Sequence, residues 1–286
     1  MSGLGGQVVA AAVGPVSGLG LFSGKRASVT IGPASAPGIH LRRERASAAA
    51  RTALVSSESS WTGLPPGVPV RNTTLASGPA FFATIEHLMS ALAGLGVWHA
   101  AVKFEDGPEA PILDGSALPW VAALKPALGP GAAAEPLVLR ERVEVAHGDA
   151  TIVAVPRARG WSYTYVLDYG AGSPIRAQRA AWEGCPRAYE AEIAPARTFS
   201  LRREAEAARA MGLFPHLTPR EMVVVGDDGA PIDNAWRIAN EPAAHKLLDL
   251  IGDLALLGRP LQADVVATRS GHALTHEFCR RVLAGG

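Results

Sequence analysis

The stretch EPAAHKLLDLIGDLALLG (241–258) decides how the rest of the chain is read. Asn240 stands where a helix N-cap belongs, Glu241 and Pro242 fall in the first turn, and Gly258 and Pro260 stop the run. With His245 set at zero, helical pitch puts Asp249 at about 40°, Asp253 at about 80° and Lys246 at about 100°. Leu247, Leu248, Leu250, Ile251, Leu254, Ala255 and Leu257 fill the rest of the circle. A helix apolar over most of its circumference is largely buried, so its ionisable strip faces either a narrow opening to solvent or a site. Two readings fit. In one, Lys246 and Asp249 pair along the single wet edge of a core helix. In the other, His245 and Asp249, four residues apart on one face, are two ligands of a metal ion.

A second helix is expected over 84–95, in TIEHLMSALAGLG (84–96), closed by Gly94 and Gly96. His87 stands above Ala91 and Gly94, a strip of small residues against which another helix can pack closely. A histidine on such a face is either a core residue with a satisfied ring or a ligand. Its neighbour Glu86, the only acid in the helix, favours the second reading. A hydrolytic metal site needs a ligand and, beside it, a carboxylate able to take a proton from water.

The 286 residues allow one large domain or two of ordinary size. Charged residues make up 19% and the net charge is +1, so no basic field favours nucleic acid. Cys185 and Cys279 form neither a disulfide framework nor a metal-ligand spacing, which fits a reducing cytoplasm. The first basic residue is Lys25, so the basic start of a secretory signal is missing, and no apolar run of membrane-spanning length occurs.

Strands are expected at 7–13, 27–32 and in GIHLRR (38–43), and PWVAALKPAL (119–128) reads as a short helix. The stretch KPALGPGAAAEP (125–136) reads as a linker. Beyond it strands are expected at 137–146, 150–155 and 161–168. A polar helix follows at 201–211, then a strand in EMVVVG (221–226) and the helix described above. A strand in LQADVVATRS (261–270) and a helix in HALTHEFCRRVL (272–283) close the chain. Strands then helices, twice over, predict an α+β protein of two similar domains, 1–125 and 137–286, joined by residues 126–136.

Five segments in order carry a resemblance: TIEHLMSALAGLGV (84–97), DGPEAPILDGSALPWV (106–121), ARTF (196–199), AAHKLLDLIGDLALLG (243–258) and SGHAL (270–274). With GLGLFSGKRASVTIGPA (18–34), they resemble the zinc-dependent UDP-3-O-acyl-N-acetylglucosamine deacetylases of lipid A biosynthesis. The resemblance implies two α+β domains, each a sheet with two helices packed on it, and a site between them. On matching positions it implies His87, His245 and Asp249 as ligands of Zn²⁺, with Fe²⁺ an alternative for the same donors. It implies Glu86 as general base and His272 as general acid, the latter oriented by Asp253. Thr198 and Lys246 would hold substrate and the oxyanion, with Phe199 and Leu201 also lining the substrate route. The implied partner is a UDP-sugar carrying an acyl chain, and the protein is expected to be a cytoplasmic monomer.

The chain departs from that pattern at three places. Phe22 stands where the family has His, TFSL (198–201) replaces TFGF, and residues 214–222 replace a Gly-Gly-Ser turn in the region that forms the family's acyl passage. These departures leave room for a paralogue that deacetylates a different N-acetylated sugar. The remaining features read plainly. Asp114 and Ser116 suit a tight turn. His40, His99, His147 and His276 read as surface or edge residues, His216 as a possible substrate contact, the two cysteines as buried or half-buried thiols, and RREAEAAR (202–209) as a solvated helical face.

Overall fold

The computed structural model describes residues 6–65, 67, 68 and 70–285. One five-stranded sheet runs in the order Val13–Leu19, Arg26–Gly32, Ala100–Asp106, Ile39–Arg43, Ala46–Ala49. A second sheet repeats the pattern with Val143–His147, Ala150–Pro156, Leu261–Thr268, Ser162–Leu167 and Gln178–Trp182; Leu137–Val138 adds a short parallel pairing to its central strand. Numbered along the chain, both orders are 1-2-5-3-4. In both, the fifth strand is antiparallel to the second and parallel to the third. The fold is duplicated although no sequence repeat is visible. The α+β architecture of two similar units expected from the pattern is the one observed.

Helices α1 (Glu86–Gly94) and α2 (Leu118–Leu124) flank the fifth strand of the first unit in sequence. Before the C-terminal pair comes α3 (Pro186–Ala188), running into a π-helical turn at Tyr189–Ile193, and then α4 (Arg202–Ala210). Helices α5 (Glu241–Leu254) and α6 (His272–Leu283) flank the fifth strand of the second unit. Each unit carries one insertion between its fourth strand and its first long helix. In the first it is the hairpin Thr74–Ser77/Ala80–Ala83; in the second it contains α4 and the parallel pair Phe199–Leu201/Val223–Val225.

The two units meet where α1 packs on α5. All of α1 is buried, and every residue of α5 except Lys246 is buried. The close approach depends on Gly252, because a Cβ there would stand 2.1 Å from the Glu86 carbonyl oxygen. Helix α5 packs on α1 on the side of His87, while Gly94 at the far end of the small-residue strip meets a different neighbour. Gly94 gives its space to the Tyr189 ring of the π turn, whose hydroxyl bonds Ser90 Oγ at 2.8 Å.

Several expectations are corrected. Residues Leu128–Gly131, inside the stretch read as a linker, pair antiparallel with Gly6–Val9. The strand expected over 7–13 therefore belongs to two sheets, and that over 137–146 is likewise split in two. Asn240 precedes α5 but does not cap it, since its side-chain amide donates instead to the Arg179 carbonyl at 2.8 Å. Gly258 ends the helix as expected, with φ of 82°.

Candidate active site

The start of α1 is set by the chain before it. Thr84 lies in the left-handed region (φ 55°), costly for a β-branched residue. Its hydroxyl donates to the buried Glu109 (3.0 Å) and accepts from Asn72 Nδ2 (2.9 Å). Glu109 also accepts the Phe22 and Ser23 amides, tying the 20–24 loop to the same point. This places Glu86 and His87 in the first turn of α1, facing the ionisable edge of α5.

His87, His245 and Asp249 each offer a ligand atom within 4.8 Å of the others. His87 Nε2 and His245 Nε2 stand 3.6 and 3.5 Å from Asp249 Oδ1, and the two rings meet edge to face at 5.1 Å. His245 Nδ1 approaches the Ala196 carbonyl at 3.2 Å, which fixes the tautomer and turns the Nε2 lone pair inward. Burial drives His245 down to about 3, keeping the ring neutral. Asp249 Oδ1 is buried with no hydrogen-bond partner among the described residues. A buried carboxylate oxygen left unpaired is costly, and here it points at two imidazoles. Two nitrogen donors and an orphaned carboxylate oxygen fit a divalent cation of borderline softness. No other such group occurs among the described residues.

Around this trio stand the remaining ionisable groups. Lys246 Nζ donates to Asp249 Oδ2 at 2.6 Å; burial alone would lower its pKa, but Asp249 outweighs burial and raises it. Glu86 accepts the Thr73 amide at 3.0 Å, and burial raises its carboxyl above the usual range. His272 lies on the far side, Nε2 3.9 Å from Asp249 and Nδ1 2.8 Å from Asp253 Oδ2. Burial would lower its pKa, but the Asp253 carboxylate overcomes that and lifts it to about 9. Burial would raise Asp253 too, yet its histidine neighbours hold it well below the usual carboxylate range.

A cavity of about 460 Å³ opens over these groups. Glu86, His87, Thr198, Phe199, Leu201, His245, Lys246, Asp249 and His272 all line it, and Asp253 sits behind His272. Thr198 is seated by its neighbours, its amide donating to Gly115 O (2.7 Å) and its carbonyl accepting from Val223 (2.9 Å). The turn read as a plain local feature therefore positions Thr198. Asp114 does accept the Ser116 amide as expected, and also Arg237 Nη1 at 2.7 Å. Gly115, at φ 81°, leaves no room for a Cβ beside the Glu221 carbonyl.

Sequence reasoning missed Arg71 and Tyr169, which also line the cavity. It missed the buried Arg197–Glu241 pair as well. There the Arg197 Nε and amide donate to Glu241 Oε1 at 2.7 and 3.1 Å, fastening the segment before Thr198 to the first turn of α5. The Arg-Thr-Phe motif was the only signal for it. His276, read as a surface or edge residue, is buried against Asp253 because α6 turns that face inward toward α5. His216 is not in the cavity wall; it bonds the Leu21 carbonyl at 3.1 Å and covers Gly24. Cys279 is buried as expected, but Cys185 is exposed.

The model of the UDP-3-O-acyl N-acetylglycosamine deacetylase family matches residues 9–284. The chain belongs to that family. Relatives named UDP-3-O-acyl-N-acetylglucosamine deacetylase agree. The one from Geobacter sp. (strain M21) is 36% identical over 93% of this chain and 85% of its own. That from Anaeromyxobacter dehalogenans is 36% identical over 94% and 84%, and that from Nostoc sp. (strain PCC 7120) 34% identical over 94% and 95%. The family implies a catalytic metal, and the His87, His245 and Asp249 donors suit one. No helix among the described residues is long and apolar enough to cross a membrane.

Proposed function

We propose that this chain removes the acetyl group of UDP-3-O-acyl-N-acetylglucosamine by hydrolysis, the committed step toward lipid A, in the cytoplasm. The observation that carries this is Asp249 Oδ1, buried between two imidazoles and unpaired among the described residues, with Glu86 and His272 lining the same cavity. His87, His245 and Asp249 would hold Zn²⁺, with Fe²⁺ the alternative. When bound, such an ion supplies Lewis-acid polarisation of the acetamide carbonyl and lowers the pKa of water to roughly 7.

Glu86, held by the Thr73 amide, takes the proton of the attacking water. Lys246 and the Thr198 hydroxyl stand in the wall where the carbonyl oxygen gains charge, and donors of this kind are worth about 2.7–4 kcal/mol each. An amine leaves poorly unless protonated. His272 carries that proton, and Asp253 keeps it charged until the C–N bond breaks. Phe199 and Leu201 give the substrate an apolar wall beside His245.

Purified protein should contain about one equivalent of metal and release acetate from this sugar nucleotide. Glu86→Ala should keep the metal and lose roughly 10²- to 10⁴-fold in kcat. Metal without acetate release from wild type would refute the reading. Protein grown with excess zinc or excess iron, then assayed at known metal content, separates the two ions.

A second reading, a paralogue acting on another N-acetylated sugar, draws support from the altered insertion. Phe22 packs edge-on against Trp61 (6.2 Å) and Phe214 (6.0 Å). The cleft beside α4, lined by Leu213, Phe214, Leu217 and Met222, has a volume of about 30 Å³, room for about two waters. Turnover of UDP-N-acetylglucosamine with and without its 3-O-acyl chain decides between them; strong preference for the acylated form ends the second reading.

A further inference from the structure

Thr73 is 1% exposed and immediately precedes the first hairpin strand, between the first turn of α1 and the α5–α6 contact. Its backbone serves α1. The amide donates to Glu86 Oε2 at 3.0 Å, and the carbonyl accepts from Ile85 at 3.3 Å. Its side chain serves the other unit. Thr73 Oγ1 is in hydrogen-bond contact with Asp253 Oδ1, 3.0 Å from His276 Nε2 and 3.4 Å from His272 Nδ1.

A hydroxyl has one proton to give, and the ionised carboxylate takes it. The His276 contact must then run the other way, with the Nε2–H of that ring donating to Thr73 Oγ1. His272 Nδ1–H is already committed to the opposite oxygen, Asp253 Oδ2. Asp253 is thus gripped from both sides, by the imidazole it orients and by Thr73.

We propose that Thr73 is a positioning residue that registers Glu86 against His272, its amide holding the one and its hydroxyl, through Asp253 and with His276 behind it, holding the other. The inference rests on the base and acid roles given above. Those two groups stand on helices of different units, and a pair that hands protons to and from one substrate must be held to a fraction of an ångström. A β-branched side chain with a stiff χ1 suits such a tether. A purely space-filling residue would leave Asp253 Oδ1 and His276 Nε2 without this partner.

The test compares the metal-loaded full chain with Thr73→Val, which keeps the shape and loses the hydroxyl, and Thr73→Ser, which restores it. Valine should lower kcat roughly 10- to 100-fold with KM and metal content unchanged, and serine should return most of the loss. Imidazole NMR gives a second readout that needs no turnover. With Asp253 Oδ1 also 3.4 Å from His276 Nε2, the His276 Nε2–H signal should persist but shift and exchange faster in Thr73→Val, and return to its wild-type position in Thr73→Ser. Wild-type kcat in Thr73→Val, a loss that serine does not restore, or a His276 signal indifferent to residue 73 would each overturn the proposal. If wild type released no acetate from the sugar nucleotide, the reaction assigned above would fall, while the imidazole signal would still decide whether Thr73 couples the two sides.

Discussion

Asp249 is the residue on which the site turns. Its Oδ2 is satisfied by Lys246 and its Oδ1 by nothing in the protein among the described residues, so the proposed metal would bind the folded chain more tightly than the unfolded one. Zinc at 100 times its dissociation constant should stabilise wild type by about 2.7 kcal/mol. Thermal melts with and without the ion check this, and Asp249→Ala should melt at one temperature in both. Asp253 offers a second test, through pH. His272 lifted to about 9 is protonated at neutrality, so activity that needs its proton falls as pH rises through that value. Asp253→Asn removes the largest charge opposing burial, leaving only Asp249 and Glu86 to do so, which lowers the pKa, so the alkaline limb of kcat/KM should move toward neutrality. An unmoved limb would remove His272 as the acid. The types and spacing of Glu86, His87, His245, Asp249 and His272 were legible in the sequence. Thr73 was not, since it meets Asp253 across 180 residues and resembles any other strand threonine.

Helix α5 shows how far a pattern reads at the scale of an element. Its apolar circumference foretold burial, and its ionisable edge does line the cavity. Its start falls where expected, after Asn240, but without the side-chain cap, because Asn240 bonds a neighbouring strand while Glu241 takes Arg197 and the Arg237 amide. The Arg197–Glu241 pair is almost wholly buried, so losing one member strands a charge. Arg197→Met should cost about 3–5 kcal/mol in urea unfolding, and Arg197→Met with Glu241→Gln should recover part of that. A cost below 1 kcal/mol for the single change would mean that water reaches Glu241. Activity should fall with stability in the single variant, because the Ala196–Phe199 segment carries both the carbonyl on His245 and Thr198.

Over the whole molecule, two copies of one topology face each other through α1 and α5, and the site exists only at that contact. Gly252→Ala tests it directly, since the new Cβ would collide with backbone of Glu86 rather than with a side chain able to move. Overpacking of this kind costs about 1–3 kcal/mol, and the shift would move Glu86 and His87 away from Asp249. Unfolding, metal content and acetate release should all suffer; Gly271→Ala, whose Cβ meets open space, should leave the α1–α5 contact intact. The α+β class, the two units and the buried helices were legible in the sequence, because periodicity acts over a few residues, while the proposed donors came from the family resemblance. The distance between α1 and α5, the orphaned oxygen of Asp249, the seating of Thr198 on Gly115 and the inward turn of His276 were decided only by tertiary packing. Each depends on what a surface meets from the other unit or from a distant insertion, and no local pattern encodes that.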